Sequence, residues 1–260
     1  MNYKDFMTKN ILKYLLGIFT LFTISNCAAQ SGIRLGLKGG IGIPDLKASG
    51  DNPVSSGWSS TLGPYIGAVA EIQLNDRLYL QGELNYASQG GKKNGVQAIA
   101  TSELSAYITP GQELPPYIYA NFKSEVKINY VELPILVKIN FSVEKSFSFF
   151  VNGGIYAGYL LTAKNVTGGS SNVYLDEKLT QPLTPAAISF DHSTEIKDNI
   201  KKFNFGLQGG IGISYDLPNK NRLLLTGGGN YGLIHLQKNE DNGKNNTGAA
   251  TITLSYLIHF

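Results

Sequence analysis

The chain has 260 residues, 42% of them hydrophobic and 16% charged, with 30 glycines, one cysteine and a formal net charge of +3. So slight a basic excess excludes the charged footprint of a nucleic-acid binder, and one cysteine excludes a disulfide framework. Tyr, Phe, Thr, Asn and Gly are abundant and no long helical periodicity appears, so strands are the regular element this composition favours.

The N-terminus differs from the rest. Lys4, Lys9 and Lys13 precede an apolar run from Tyr14 to Ile24, and the small-residue segment Cys27-Ala28-Ala29 follows. That order predicts a secretory signal peptide over residues 1–29, cleaved to leave Gln30 first. The run has 11 residues, and a bilayer-crossing helix needs about 20, so a retained anchor is disfavoured. A lipoprotein reading of Cys27 meets Asn26 where a small residue is wanted, so Cys27 is expected to leave with the leader. Its removal takes away three of 22 basic and one of 19 acidic residues, leaving a net charge of +1.

From residue 30 to 260 the pattern is one of alternation with a period of two, the mark of strands with two unlike faces. The first, Ile33 to Ile43, sets Ile33, Leu35, Leu37, Ile41 and Ile43 against Arg34, Lys38 and glycines, and Pro44 is expected to end it. The second, Leu62 to Leu74, puts Ile66, Ala68, Ala70 and Ile72 opposite Tyr65, Val69 and Glu71; Asn75-Asp76 then makes a tight turn. The third, Arg77 to Gln89, opposes Leu78, Leu80, Leu84 and Tyr86 to Tyr79, Gln81, Glu83 and Asn85. The fourth, Val126 to Phe141, opposes Val131, Leu133, Ile135, Val137, Ile139 and Phe141 to Glu132, Lys138 and Asn140. A short turn, Ser142 to Lys145, leads into the fifth, Ser146 to Leu161. The sixth runs from Lys201 to Asp216, the seventh from Arg222 to Leu236, and the eighth from Thr247 to Phe260.

The connections alternate long and short. The long ones, residues 44–60, 90–125, 162–200 and 237–246, are separated by tight turns. This is the pattern of an all-β, eight-stranded antiparallel up-and-down transmembrane barrel of the outer-membrane type. Such barrels keep short turns at the periplasmic rim and long loops outside. Two groups of outward aromatic residues agree with that register. Phe141, Phe147, Phe149, Tyr215, Tyr256 and Phe260 fall near the short-turn rim, and Tyr86, Tyr159, Phe203, Phe205 and Tyr231 near the other, as membrane belts require. In the last strand Leu254, Tyr256, Ile258 and Phe260 share one face, and the strand ends on the last of them.

A glycine-rich octad recurs: Gly36-Leu37-Lys38-Gly39-Gly40-Ile41-Gly42-Ile43 and Gly206-Leu207-Gln208-Gly209-Gly210-Ile211-Gly212-Ile213. A phosphate loop needs a helix after it, and neither copy has one. Inward glycines that let a narrow barrel curve and pack are the better reading.

The strands Leu80-Gln81-Gly82-Glu83-Leu84-Asn85-Tyr86 and Tyr130-Val131-Glu132-Leu133-Pro134-Ile135-Leu136-Val137-Lys138, the leader ending in Ala-Ala-Gln, and the ending on Phe260 resemble the PorT-like outer-membrane β-barrel proteins of Bacteroidetes. The resemblance covers essentially the whole mature chain. It implies an eight-stranded barrel in the outer membrane and, as partners, outer-membrane lipid and the barrel assembly machinery, for which the ending Leu254, Tyr256, Ile258 and Phe260 would be the assembly signal. Most members of the group have no assigned activity, and its namesake serves protein secretion; no residue here selects that role.

Candidate sites are few. Arg34, Lys38, Glu71, Glu83, Glu132 and Lys138 face inward, three of each sign, and are expected to neutralise one another in a network that fills the lumen. An ion or proton path through them is the alternative. Asp191-His192-Ser193 and Glu195 invite comparison with outer-membrane lipid hydrolases, but adjacency in sequence does not make a triad. His235 and His259 fall near opposite rims and cannot share a metal. No catalytic residue, cofactor or metal is therefore expected, and no nucleic acid among the partners.

The long connections 90–125 and 162–200 hold Tyr107, Tyr117, Tyr119, Phe122, Val173, Tyr174, Leu175, Ile188 and Phe190. These residues imply loop-on-loop packing, a contact surface for an extracellular or envelope protein, or hairpins extended beyond the rim. The expected molecule is a monomeric barrel with a structural or binding role. A narrow pore for small solutes, a secretion component and, more remotely, a lipid-modifying hydrolase are the alternatives.

Overall fold

A computed structural model describes residues 32–104, 114–241 and 243–260. The leader, Cys27 and Gln30 lie outside the described residues, as do Tyr107 and Pro110. Twelve strands follow in order: β1 (Ile33–Ala48), β2 (Gly63–Gln73), β3 (Leu78–Ala100), β4 (Tyr117–Ser142), β5 (Phe147–Gly168), β6 (Ser170–Ser171), β7 (Val173–Tyr174), β8 (Ile188–Ser189), β9 (His192–Glu195), β10 (Phe203–Asp216), β11 (Arg222–Gly232) and β12 (Asn245–His259).

Eight of them close a ring. Antiparallel ladders join β1 to β2, β2 to β3, β3 to β4, β4 to β5, β5 to β10, β10 to β11, β11 to β12, and β12 back to β1. The seam between first and last strands runs from Arg34↔His259 to Ala48↔Asn245. Closure leaves no ring strand with an unpaired edge over its shared length, the condition for crossing a medium that offers no hydrogen bonds.

Alternation along each strand sorts side chains by medium. Leu37, Ile66, Leu84, Ile135, Ile155, Ile211, Leu225 and Leu254 are exposed on the outside, while Glu71, Glu132, Lys138, Tyr130 and Tyr156 are buried inside. An apolar exterior around a polar interior inverts the soluble arrangement and suits lipid.

The inward glycines of the repeat make room for specific neighbours. A Cβ on Gly36 or Gly40 would lie 1.9 or 2.0 Å from a carbonyl oxygen of β12, and one on Gly206 or Gly212 would strike the ring of Tyr156 or Phe150. Glycine there lets two backbones approach across the seam and lets two large aromatic side chains enter a narrow lumen.

Strands β1, β3, β4 and β5 run well past their expected ends. β1 continues through Pro44 to Ala48, because its ladder with β2 has already stopped at Gly42↔Gly63 and the missing N–H faces that unpaired side. The carbonyl of Pro44 accepts the N–H of Thr61. β3 and β4 remain paired to Ala100↔Tyr117, and β5 follows β4 out to Gly168↔Lys123. Much of residues 90–125 and 162–168 is thus an extended hairpin with a third strand beside it, rather than loop. At about 3.3 Å per residue, β4 continues for roughly 45 Å of strand length beyond Tyr130. At the other extreme, β11 stops at Gly232, short of Leu236.

Candidate functional site: the filled lumen and the mouth

Near the short-turn rim, Glu71 from β2 is fully buried between two cations. Lys138 from β4 is paired with it, and Arg222 Nη1 from β11 lies 3.4 Å from its Oε2. Arg222 also holds Asp216 in a two-pronged contact, Nε to Oδ1 at 2.6 Å and Nη2 to Oδ2 at 2.8 Å. The ring of Tyr79 faces both cations, and Phe150 faces Lys138. Beside this cluster Val69, Phe150, Leu224 and Leu257 form an apolar layer. Two cations and two anions in contact largely cancel, which is what a water-poor interior demands of charges.

A second cluster centres on Glu83. Lys38 Nζ donates to it at 2.5 Å, Gln81 at 2.6 Å and Asn85 at 2.8 Å. Tyr65 accepts from Asn85, donates to Gln208 and lies under the Lys38 ammonium. Glu132, deeper toward the long-connection rim, receives the amides of Gln89 at 3.1 Å and Asn230 at 3.3 Å.

The six charges read from the sequence do not simply neutralise one another. Lys38 with Glu83 and Lys138 with Glu71 make two ion pairs. Among the described residues, however, Arg34 makes only a backbone contact to the carbonyl of Lys220 at 3.5 Å, and Glu132 meets amides rather than a cation. Arg222 and Asp216 complete the lower cluster and were absent from the expected set. The same two-residue period that turns Leu224, Thr226 and Asn230 inward from β11 also turns Arg222 inward, and that alternation was the available signal.

The outward aromatic residues fall at two levels. Phe141 lies opposite Phe149 and Tyr215 opposite Phe147 near the short turns, while Tyr159 lies opposite Phe203 at the other end. Tyr256 and Phe260 belong to the first level, and Tyr86, Phe205 and Tyr231 to the second.

Past the second level the interior becomes apolar again. Ile128, Tyr130, Leu160 and Ala163 are fully buried, and Leu46, Val126, Ile200 and Leu236 pack with them, with Trp58 and Ile196 against the cluster. Leu236 reaches this position because the chain leaves the ladder after Gly232 and its N–H is taken by the carbonyl of Asn245. Above the cluster is a cavity of about 520 Å³ whose wall is shared by β4 and the three connections that follow β1, β5 and β11. Asn245 fastens two of these connections: it donates to the carbonyl of Ser55 at 2.9 Å and accepts from Gln237 at 2.7 Å. Lys238 donates to the carbonyl of Asp198 at 2.6 Å. Nearby, Glu240 joins Lys244, Lys201 and His235, and the hydrogen bond from Lys244, followed by that from Lys201, holds its carboxyl down at about 2.

The extended hairpin also meets the 162–200 connection. Phe122 stacks on Phe190 with ring centroids 4.5 Å apart, and β9 adds to the edge of β5. Asp191, His192, Ser193 and Glu195 sit here and are exposed. Asp191 accepts from the N–H of Gly169 and the hydroxyl of Ser189, which hold its carboxyl below the ordinary range; Glu195 pairs with Lys164. His192 and Ser193 are consecutive in a strand and face opposite sides, so the four residues make no nucleophile-and-base arrangement here.

A closed antiparallel ring of eight strands, apolar outside and packed with polar side chains inside, defines a transmembrane β-barrel of the outer-membrane type. The chain belongs to the outer membrane protein beta-barrel domain family, whose model matches residues 28–238. Comparison with curated protein sequences gives no match. Among solved structures, Ail, the attachment invasion locus protein of Yersinia pestis, is 13% identical, with 86% of this chain and 98% of that one covered at a TM-score of 0.36. Neisserial surface protein A is 13% identical, covering 88% and 97% at a TM-score of 0.39, and OprG from Pseudomonas aeruginosa is 10% identical with the same coverage and score. Those values are too low for any property of these proteins to pass to this chain.

Proposed function

We propose that the protein is a closed-lumen binding component of the outer membrane that works through the arm and connections at its long-connection rim, without catalysing a reaction. The observation that carries this reading is the lumen. Successive layers around Glu71, Glu83 and Glu132, followed by the apolar cluster at Tyr130, occupy it from one rim to the other. A barrel of eight strands has an interior just wide enough for side chains to fill, so a continuous water path has little room. The surface left for recognition is the extension of β3, β4 and β5, which carries Tyr117, Tyr119 and Phe122 in β4. An extracellular or envelope protein is the partner it would suit.

The finer assignments belong to the same reading: residues 1–29 as a cleaved leader, the long-connection rim turned outward from the cell, and placement among the PorT-like barrels. Single-channel recording of the purified protein in a planar lipid bilayer tests the central point. No steady conductance is expected, and reproducible unitary openings would replace the plug with a narrow pore.

A further inference from the structure

The cavity at the mouth is a blind cup. Below it Ile128, Tyr130, Leu160 and Ala163 are fully buried, so nothing that enters can continue into the lumen. Its inner wall is apolar, made by Leu46, Val126, Ile128, Ile200 and Leu236 with Trp58. Its rim is polar and nearly neutral, with one carboxylate, Asp198, and one ammonium, Lys238, among asparagines. The rim is also fixed, since Asn245 and Lys238 tie the connections to one another. A volume of about 520 Å³ lies within the range of small-molecule sites, which combine mostly apolar walls with a few placed polar groups.

We infer that this cup binds a small uncharged amphiphile, its alkyl or aromatic body against Trp58 and the apolar wall and a hydroxyl or carbonyl end at the asparagine rim. At the rim one carboxylate and one ammonium offset each other in sign, so an ionic ligand finds little net field. The ammonium of Lys93 lies against the ring of Trp58 at 4.6 Å and donates to the Val54 carbonyl at 2.7 Å, but does not itself line the cup. A purely apolar one would remain in the lipid, because the cup stands beyond the outward apolar belt. The inference rests on the long-connection rim being the working surface, and on the lumen below being closed.

Trp58 is the only tryptophan in the chain, so its fluorescence reports on the cup alone. The test is quenching of Trp58 by a terminally brominated octanol, with the protein held in phospholipid nanodiscs. Saturable quenching, reversed by excess unbrominated octanol, is expected. Ile196→Phe, which puts a larger side chain into the wall, should weaken it by about tenfold. Quenching that climbs without saturating, as simple partition into lipid would give, overturns the inference, as does equal quenching in the variant. Electrophoretic migration before and after heating establishes that the variant barrel is formed. If Ile196→Phe fails to fold, Val54→Phe alters the same cavity from a different connection. A negative outcome here with a silent bilayer recording would remove the ligand while leaving the closed-lumen reading intact.

Discussion

Glu71 has no exposed surface and lies between Lys138, which has none either, and Arg222. The three side chains come from β2, β4 and β11, so the ion cluster ties together strands that are not neighbours in the ring. Removing one member of a buried pair is more damaging than removing both, because the survivor keeps its charge without a partner. The arrangement is also asymmetric. Lys138→Met leaves Glu71 with Arg222, whereas Glu71→Gln leaves Lys138 with no anion in contact. Glu71→Gln is therefore expected to lose about 3–5 kcal/mol of stability, Lys138→Met less, and the double variant should regain much of the loss. Urea unfolding in lipid vesicles measures all three, and losses that simply add would mean the two side chains do not act as a pair.

At the scale of elements, the ring meets the protruding arm where two irregularities coincide. Gly90 adopts φ +128°, and the β4–β5 ladder shifts register at Asn129/Tyr130. A Cβ at Gly90 would lie 1.9 Å from the carbonyl oxygen of Val126. Gly90→Ala should thus cost about 1–3 kcal/mol and loosen the arm more than the ring. Hydrogen exchange should quicken over Lys92 to Ala100 while β1 and β12 stay protected. Gly39→Ala is the control, since nothing stands within 4 Å of its Cβ. Unchanged protection in the arm would show that Gly90 does not set its direction.

The same arm marks the limit of what the sequence discloses. Within the ring, lipid on one side and a polar lumen on the other impose a period of two, so the eight strands and their facing residues could be read directly. Past Gln89 both sides of β3 meet water or other polar groups. The outward positions there include the exposed Lys92 and Asn94 beside Val96, while Lys93 and Gln97 are buried along with Ala100 and two glycines. An alternation that has lost its apolar outward stripe carries no strand signal, and pairing with β4 alone defines the element. The lumen charges were legible as inward positions, but their partners were not. The contact between Arg222 and Glu71 crosses the barrel, and neither spacing nor sign along one strand reports on it. The cup is less legible still, because Leu46, Trp58, Ile196 and Leu236 come from four separate stretches of chain.

For the whole molecule the decisive event is closure. Until β12 pairs with β1, two strand edges and their unmet N–H and C=O groups face the surroundings, and in hydrocarbon each such group costs several kcal/mol. The seam depends on close approach at Gly36 and Gly40, and it places Leu37 directly opposite Tyr256, both pointing outward. Directly paired antiparallel residues have Cα atoms about 4.5–5.5 Å apart, which is within reach of a disulfide. In a Cys27→Ser background, Leu37→Cys with Tyr256→Cys is expected to cross-link readily within one chain under mild oxidation of isolated outer membranes. Leu37→Cys with Ile211→Cys should not, because β11 and β12 stand between those strands. Placing valine at Gly40 should reduce the first cross-link sharply, since the added side chain would meet the Ile252 carbonyl before the backbones reach bonding distance. Efficient cross-linking in the valine variant would mean that the seam closes without this glycine. If the Leu37–Tyr256 pair failed to cross-link while the barrel still migrated as folded, the last strand would pair in another register, and every inward and outward assignment along it would change with it.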